Sequence, residues 1–199
     1  KKASGDSFAM SLAITLLSGK GSQDNKLYLD HTLPDEQAAM HYIVKFSRGP
    51  NQRLASILRH EAAYMRIAKW VNLRVHALPV YNNGVLFIPR FDRSVQVDQV
   101  NRNAQESLAS LLDIVGFDSN PRHNDACLAI CKYCTDPLPE LSEYLRRDVV
   151  NLALGNKDNH ARNTAFTRNI QGKLQLTPLF DFAPMVLHPD GIARRMRWQ

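Results

Sequence analysis

The sequence predicts an α+β chain in two lobes, β-rich over residues 1–93 and mainly α-helical over 94–199. Three observations predict it. Asn82-Asn83-Gly84 divides two apolar runs, a strong hairpin signal. A single helical pattern, roughly 54–71, lies among the strand patterns of the first part. Beyond Asp92 the composition turns to Gln, Asn, Asp and Arg, and from Glu106 apolar residues recur at helical spacing.

Phe8 to Leu17 is an apolar run that periodicity assigns to neither strand nor helix. Ser18-Gly19-Lys20-Gly21-Ser22-Gln23-Asp24-Asn25 forms a glycine-containing turn, and Lys26 to Asp30 reads as a strand leaving it. Such a loop lets backbone amides approach phosphate, although an ordinary hairpin carries the same letters. His41 to Phe46 is a strand with Ile43, Val44 and Phe46 as its apolar core and Lys45 embedded among them. An embedded lysine needs a partner or a route to solvent. Glu61 on the following helix is the candidate partner; a snorkelling lysine and a solvated glutamate are the alternative. On that helix Leu54, Leu58, Ala62, Met65 and Ala68, with Ala63, Ile67 and Trp70, trace the expected apolar face. Val75 to Tyr81 and Val85 to Arg93 flank the Asn-Gly turn, and Pro89 must end or edge the second strand.

An extended connection up to Gln105 marks the lobe boundary. Helical periods follow at Leu108, Leu111, Leu112 and Val115, then over 125–134, then from Leu141 to a Gly155-Asn156 stop. Beyond a loop at 156–163, Thr164 to Arg168 and Lys173 to Pro178 flank a turn at 169–172. This hairpin sets Asp158 and Asn163 before its first strand and Asp181 after its second. Cys127, Cys131 and Cys134 recur at helical spacing, as small apolar side chains facing a core; a zinc site would have to recruit His123.

At 199 residues, 44% hydrophobic and 22% charged, the composition is that of a soluble globular protein. No apolar run spans a bilayer and no signal-peptide pattern occurs, so a cytoplasmic protein with no membrane contact is expected. The net charge of +6 suits an anionic partner such as a nucleotide, a nucleic acid or an acidic protein. A solvated surface with a modest excess of Arg explains it equally well, including the densest cluster, Arg194 to Trp198.

Asp158 is followed by Asn163 five residues on and by Asp181 eighteen beyond that. Phosphotransferases that use ATP place such groups together: a base for the acceptor hydroxyl and two oxygen ligands for Mg²⁺. Positioning and charge neutralisation supply most of that catalysis, so a few oxygens on rigid turns suffice.

With Lys45, Glu61, Ile88-Pro89-Arg90-Phe91-Asp92-Arg93, Gln105-Glu106-Ser107-Leu108, Gly155-Asn156-Lys157-Asp158-Asn159-His160-Ala161-Arg162-Asn163 and Leu176-Thr177-Pro178-Leu179-Phe180-Asp181 in this order, the chain resembles the HipA-like kinases. These are bacterial toxin kinases of HipA/HipT type with a two-lobed protein-kinase-like fold. The resemblance covers roughly 40–185, and Ala183-Pro184-Met185 with His188-Pro189-Asp190-Gly191 is similar to the branch called YjjJ or HipH. It implies ATP and Mg²⁺ as cofactors, Asp158 as catalytic base, and Asn163 and Asp181 as metal ligands. It further implies Lys45, held by Glu61, on the α- and β-phosphates; the backbone of Pro89, Arg90 and Phe91 facing adenine; and Asp92 reaching the ribose. His160 braces the loop beside Asp158 or Asp181. The phosphate loop departs from the family's Ser-Gly-x-Gln-x-Lys by extra residues, which bears on Ser18, Gly21 and Ser22 as phosphate contacts or modification sites. Relatives usually carry a preceding subdomain and further C-terminal helices, so the chain is expected to be incomplete at both ends. The implied substrate is a protein, an aminoacyl-tRNA synthetase among them, and the implied partner a DNA-binding antitoxin. Two other readings stand beside this one: a nucleotide-binding pseudokinase scaffold, and a metal-dependent nucleic-acid enzyme.

Overall fold

The computed structural model describes residues 7–14, 38, 40–47, 51–96, 99–116 and 119–199, the first segment by its backbone. The glycine loop at 18–25 and the strand expected at 26–30 lie outside these residues. The undecided run near Phe8 is a strand, β1 (Ser7–Ile14), antiparallel to β2 (Met40–Ser47) with Phe8 opposite Phe46. β2 pairs with β4 (Val85–Pro89), placing Lys45 opposite Leu86, and β4 pairs with β3 (Val80–Asn82). The resulting sheet has the order β1-β2-β4-β3. Asn83 at φ +47° and Gly84 at φ +83° supply the paired positive angles of the hairpin turn. β3 is shorter than the expected Val75–Tyr81. Pro79 has no amide to donate to a ladder, and Val75 and Leu78 pack instead against Leu73 and Phe182.

α1 (Gln52–Trp70) starts where the Asn51 side chain accepts the Arg53 and Leu54 amides. It buries Ile57, Leu58, Glu61, Ala62, Met65 and Ala68, with Leu58 and Ala62 against Leu86 of β4. The second expected row does not face the core: Ile67 and Trp70 are exposed, Trp70 at 82%. On β2, Val44 is fully buried, but Tyr42 fills the place expected for Phe46, which is 38% exposed.

The extended connection is itself strand. β5 (Arg93–Gln96) and β6 (Gln99–Arg102) form a hairpin, and β7 (Ala104–Ser107) pairs with β8 (Ala165–Arg168), which pairs with β9 (Leu174–Leu176). The helix expected from Glu106 is one turn, α2 (Leu108–Leu111), capped by the Ser107 hydroxyl and followed by Asp113 at φ +53°. α3 (His123–Tyr133) and α4 (Pro137–Ala153) complete the helical lobe. Its core joins Leu108, Ala126, Ile130, Tyr144, Phe166 and Met196. Of the cysteines, only Cys134 is buried there; Cys127 is half-buried and Cys131 exposed.

α4 is inverted. Its inward face carries Glu140, Glu143, Tyr144, Arg147 and Asp148, while Leu138 (77% exposed), Leu145, Val149 (63%) and Leu152 point outward. Buried charge on this scale stands only when paired and hydrogen-bonded. The Arg74 guanidinium donates to both Glu140 oxygens at 2.7 and 2.8 Å, and the Leu176 amide donates to Glu140 at 3.0 Å. Glu143 accepts from the Arg74 amide and from Arg147 Nε, both at 2.8 Å, and Arg147 reaches the Thr177 carbonyl. The network fastens the segment after α1 to α4 and to the strand leading to Asp181. Glu140→Ala, which strands the Arg74 charge and the Leu176 amide, is expected to lower the unfolding free energy by about 3–5 kcal/mol in urea titration.

Candidate active site

The loop at 156–163 is set by the way α4 stops. The Asn156 amide donates to the Asn151 carbonyl at 2.9 Å and the Gly155 amide to that of Leu152 at 3.3 Å, a Schellman cap. Gly155 sits at φ +67°, and a Cβ there would lie 3.2 Å from Val186 side-chain carbons. Both the angle and the space therefore demand glycine. The Asn156 side chain donates to Asn151 Oδ1 and accepts the Asp158 amide at 3.4 Å, closing an Asx turn under the carboxylate. Asn163 Nδ2 donates to the Asp158 carbonyl at 2.9 Å and lies 3.5 Å from its Oδ2. His160 Nε2 lies 3.4 Å from Asp158 Oδ1.

Lys45 crosses from β2 to join two elements. Its Nζ donates to Glu61 of α1 at 2.9 and 3.2 Å and to Asp181 at 2.5 Å. Asp181 itself has φ +54°, a left-handed conformation that aspartate tolerates better than most residues. Neighbours hold it there. Phe182 is buried against Tyr64, with ring centroids 5.3 Å apart, and Phe180 lies 6.1 Å from Phe91. The Leu179 amide donates to the Arg74 carbonyl at 2.7 Å.

These contacts push the carboxylates apart. Lys45 holds Asp181 below the usual carboxylate range, outweighing burial. Burial raises Asp158, and Asp181 adds to the rise, against the pull of His160 and Arg195. Burial lifts Glu61 to about 7, with Lys45 drawing it back. Burial alone would lower Lys45, yet Asp181 and Glu61 keep its ammonium well above the usual range.

The hinge residues follow β4. The Arg90 amide donates to the His41 carbonyl at 2.8 Å, and Phe91 packs between His76 and Phe180. Asp92, expected to reach a ribose, is engaged by Arg90 through a two-pronged ion pair, with Nε to Oδ1 at 2.7 Å. Burial pushes Asp92 up, but Arg90 outweighs it and holds the carboxyl below its ordinary value. Ser18, Gly21 and Ser22 lie outside the described residues.

Two side-chain oxygens suit a hard cation. Asp181 gives one oxygen to Lys45, and Asn163, whose nitrogen is spent on Asp158, has its Oδ1 accepting no hydrogen bond among the described residues. Two protein oxygens fit Mg²⁺ that completes its shell with phosphate and water. Zinc at His123 is not supported: among the described residues no three His, Cys, Asp or Glu could hold a metal. His123 Nε2 is instead 3.3 Å from Asn159 Nδ2.

The Arg194–Trp198 cluster, which the sequence left open between a solvated surface and an anion-binding one, anchors the loop. The Arg195 amide donates to Asn159 Oδ1 at 3.3 Å, and Asn159 Nδ2 lies 3.4 Å from the Met196 carbonyl. Arg194 pairs with Asp148, Trp198 Nε1 donates to Asp148 at 2.8 Å, and the indole stacks on His123 at 4.8 Å. An aromatic residue inside a basic run was the available signal.

The fold is the two-lobed protein-kinase-like one, with a β-rich first lobe and a mainly helical second lobe. The family model of the HipA-like C-terminal domain matches residues 17–198, and the chain belongs to that family. It is 28% identical over 167 residues to "Putative kinase Y4mE" of Sinorhizobium fredii, covering 79% of this chain and 39% of that protein. Shewanella oneidensis HipA, solved in a toxin–antitoxin complex with HipB and its operator DNA, superposes at a TM-score of 0.66 and 20% identity over 96% of this chain and 45% of its own. The Helicobacter pylori proinflammatory kinase CtkA superposes at 0.56 and 22% identity, over 80% of this chain and 55% of its own. The chain thus spans about two fifths to half the length of these relatives. Among its described residues no helix is long and apolar enough to cross a membrane.

A raised Glu61 makes the folded chain take up a proton that the unfolded chain releases. Its stabilisation is complete below the ordinary glutamate range and is lost as pH rises towards about 7. Relative to Glu61→Gln, wild-type stability is expected to fall between pH 5 and 7 by at most about 1.4 kcal/mol per pH unit, measured by urea unfolding. A flat difference would place the Glu61 proton elsewhere.

Proposed function

We propose that this chain carries the reacting groups of an ATP- and Mg²⁺-dependent protein serine/threonine kinase of the HipA-like toxin type. The observation behind the reading is the convergence of Lys45, Glu61 and Asp181, with Asp158 and Asn163 on the adjoining loop. In this assignment residues 1–93 form the nucleotide-covering lobe and 94–199 the lobe with the reacting groups. Lys45, steadied by Glu61, orients the α- and β-phosphates, while the Pro89–Phe91 backbone faces adenine. Ser18, Gly21 and Ser22 belong to the loop over the phosphates. Asn163 and Asp181 hold Mg²⁺, which neutralises charge on the phosphate oxygens when bound.

Asp158 accepts the proton of a seryl or threonyl hydroxyl. The hydroxyl oxygen forms a bond to the γ-phosphorus, the bond from phosphorus to the β–γ bridging oxygen breaks, and ADP leaves with that electron pair. Burial suits Asp158 to this role, because a raised carboxylate is a better base. His160 orients it. The resemblance extends the reading to a cytoplasmic toxin that arrests growth by modifying an aminoacyl-tRNA synthetase. HipA's complex with HipB and operator DNA supports a DNA-binding antitoxin as partner.

The test is label transfer from γ-labelled ATP with Mg²⁺ to proteins of a cell lysate. Asp158→Asn is expected to reduce transfer by about 10²- to 10⁴-fold while an ATP-induced thermal shift persists. The wild-type rate should rise with pH through an apparent pKa above the ordinary aspartate value, since only the ionised Asp158 accepts the proton. Wild-type transfer by Asp158→Asn would remove the aspartate from the role of base.

A further inference from the structure

The exposed face of α1 carries one sign of charge. Arg53, Arg59, Arg66 and Lys69 are all exposed, while the one acid of the helix, Glu61, is buried and held by Lys45. None of the four cationic side chains makes an ion pair or a hydrogen bond among the described residues. Arg59, Ala63, Arg66 and Trp70 follow one another at intervals of four, three and four residues, which lines them along one side of the helix. Trp70 is 82% exposed, and Ile67, three residues before it, is exposed as well. We propose that this row is a docking surface for an acidic helix of a partner protein. Two carboxylates of that helix meet Arg59 and Arg66, and an apolar residue covers Trp70 and Ile67. The proposal does not depend on the kinase reading.

A helix face that meets only solvent commonly mixes both signs at three- and four-residue spacing, where opposite charges support one another. On α1 the arrangement runs the other way. Arg66 and Lys69 lie three residues apart and repel, and Arg53 stands in the first turn, at the positive end of the helix dipole, with no acid beside it. An anionic partner relieves both. The spacing selects a helix. Arg59 and Arg66 are two turns apart, about 10 Å at about 1.5 Å per residue, which is also the separation of carboxylates seven residues apart on a second helix laid alongside. Ala63, between the two arginines, adds no bulk to keep such a helix away. Exposed tryptophan and arginine are the residue types that contribute most at protein interfaces, and covering Trp70 and Ile67 removes apolar surface from water. Nucleic acid fits less well. A duplex held by about 6–10 phosphate contacts needs more than these four cations. A single strand stacks on successive aromatic platforms, where this helix face offers one.

The test measures binding of labelled, alanine-rich helical peptides to the full chain by fluorescence anisotropy at low salt. Each peptide carries two glutamates seven residues apart, with a leucine either four residues after the second or four residues before the first, to allow both helix directions. Control peptides carry lysine in place of glutamate, and a labelled DNA single strand and duplex are run beside them. One glutamate peptide is expected to bind about tenfold more tightly than its lysine counterpart, and more tightly than either DNA. The double variant Arg59→Glu/Arg66→Glu is expected to exchange that preference for the lysine peptide, a gain that a misfolded chain could not show. Trp70→Ala should weaken the glutamate peptide about tenfold. Equal binding of glutamate and lysine peptides, a preference that survives the double reversal, or an unchanged affinity in Trp70→Ala overturns the surface as proposed. Tighter binding of DNA than of the glutamate peptides, lost in the double variant, makes the face a nucleic-acid surface and overturns the protein partner.

Discussion

Lys45 holds the molecule's two halves in register. One ammonium, contributed by a central strand, bridges a carboxylate on α1 and a carboxylate on the turn after β9. Three segments distant in sequence thereby meet at one charge. A lysine this deep would be costly without partners and would lose its proton. Two carboxylates reverse that balance, so the position of α1 and of Asp181 follows from the need to keep the charge paired. The left-handed backbone at Asp181 fits the same account: the neighbouring phenylalanines are buried or stacked on either side, and the carboxylate is left pointing at the lysine.

Behind this pair lies a second polar system, on the inward face of α4. It does for the loop at 156–163 what Lys45 does for Asp181. Glu140 and Arg147 reach the strand end that leads to Asp181, with Glu143 holding Arg147 and the Arg74 amide, while Asp148 and Tyr144 reach His123 and the C-terminal residues that clasp Asn159. Hydrogen bonds fix direction more narrowly than apolar contact, since they fail steeply with angle. A loop that must present a carboxylate at a set position gains from such a support.

Much of this was legible in the chain. The Asn-Gly hairpin, α1, the stop at Gly155 and the spacing of Asp158, Asn163 and Asp181 are local signals, set by backbone angles and helical period. The Lys45–Glu61 pair was legible as a problem in physics, a charge within an apolar strand with one suitable acid on the next helix. Other features depend on what packs against what. The strands at 93–96, 99–102 and 104–107 face solvent on much of their surface, so their residues are mostly polar and the apolar face that betrays a half-buried strand was weak. Ile67 and Trp70 follow the helical period as well as Leu58 and Ala62 do, and only the placement of the sheet decides which row is covered. α4 presents the sharper case: Leu138, Leu145, Val149 and Leu152 lie outside while Glu140, Glu143, Arg147 and Asp148 lie inside, so a rule that puts the apolar face inward selects the wrong side. The role of Trp198 needed a contact 50 residues away, with Asp148.

The electrostatic asymmetry of the site ties these supports to the proposed chemistry. Two carboxylates meet at Lys45 and a third, Asp158, lines the same cleft, a setting that by itself repels a polyphosphate. The site lessens that repulsion unequally. Glu61 and Asp158 are pushed towards their neutral forms, while Asp181 is held ionised by Lys45. Asp181 is also the most accessible member of the lysine cluster, its side chain 42% exposed against 12% for Lys45 and 5% for Glu61. A metal-bearing nucleotide is, on the proposed reading, the form of ATP such a site would admit, its cation meeting Asp181 while Lys45 meets the phosphates. On the proposed reading, the division of labour between two aspartates 23 residues apart follows from where one lysine is held.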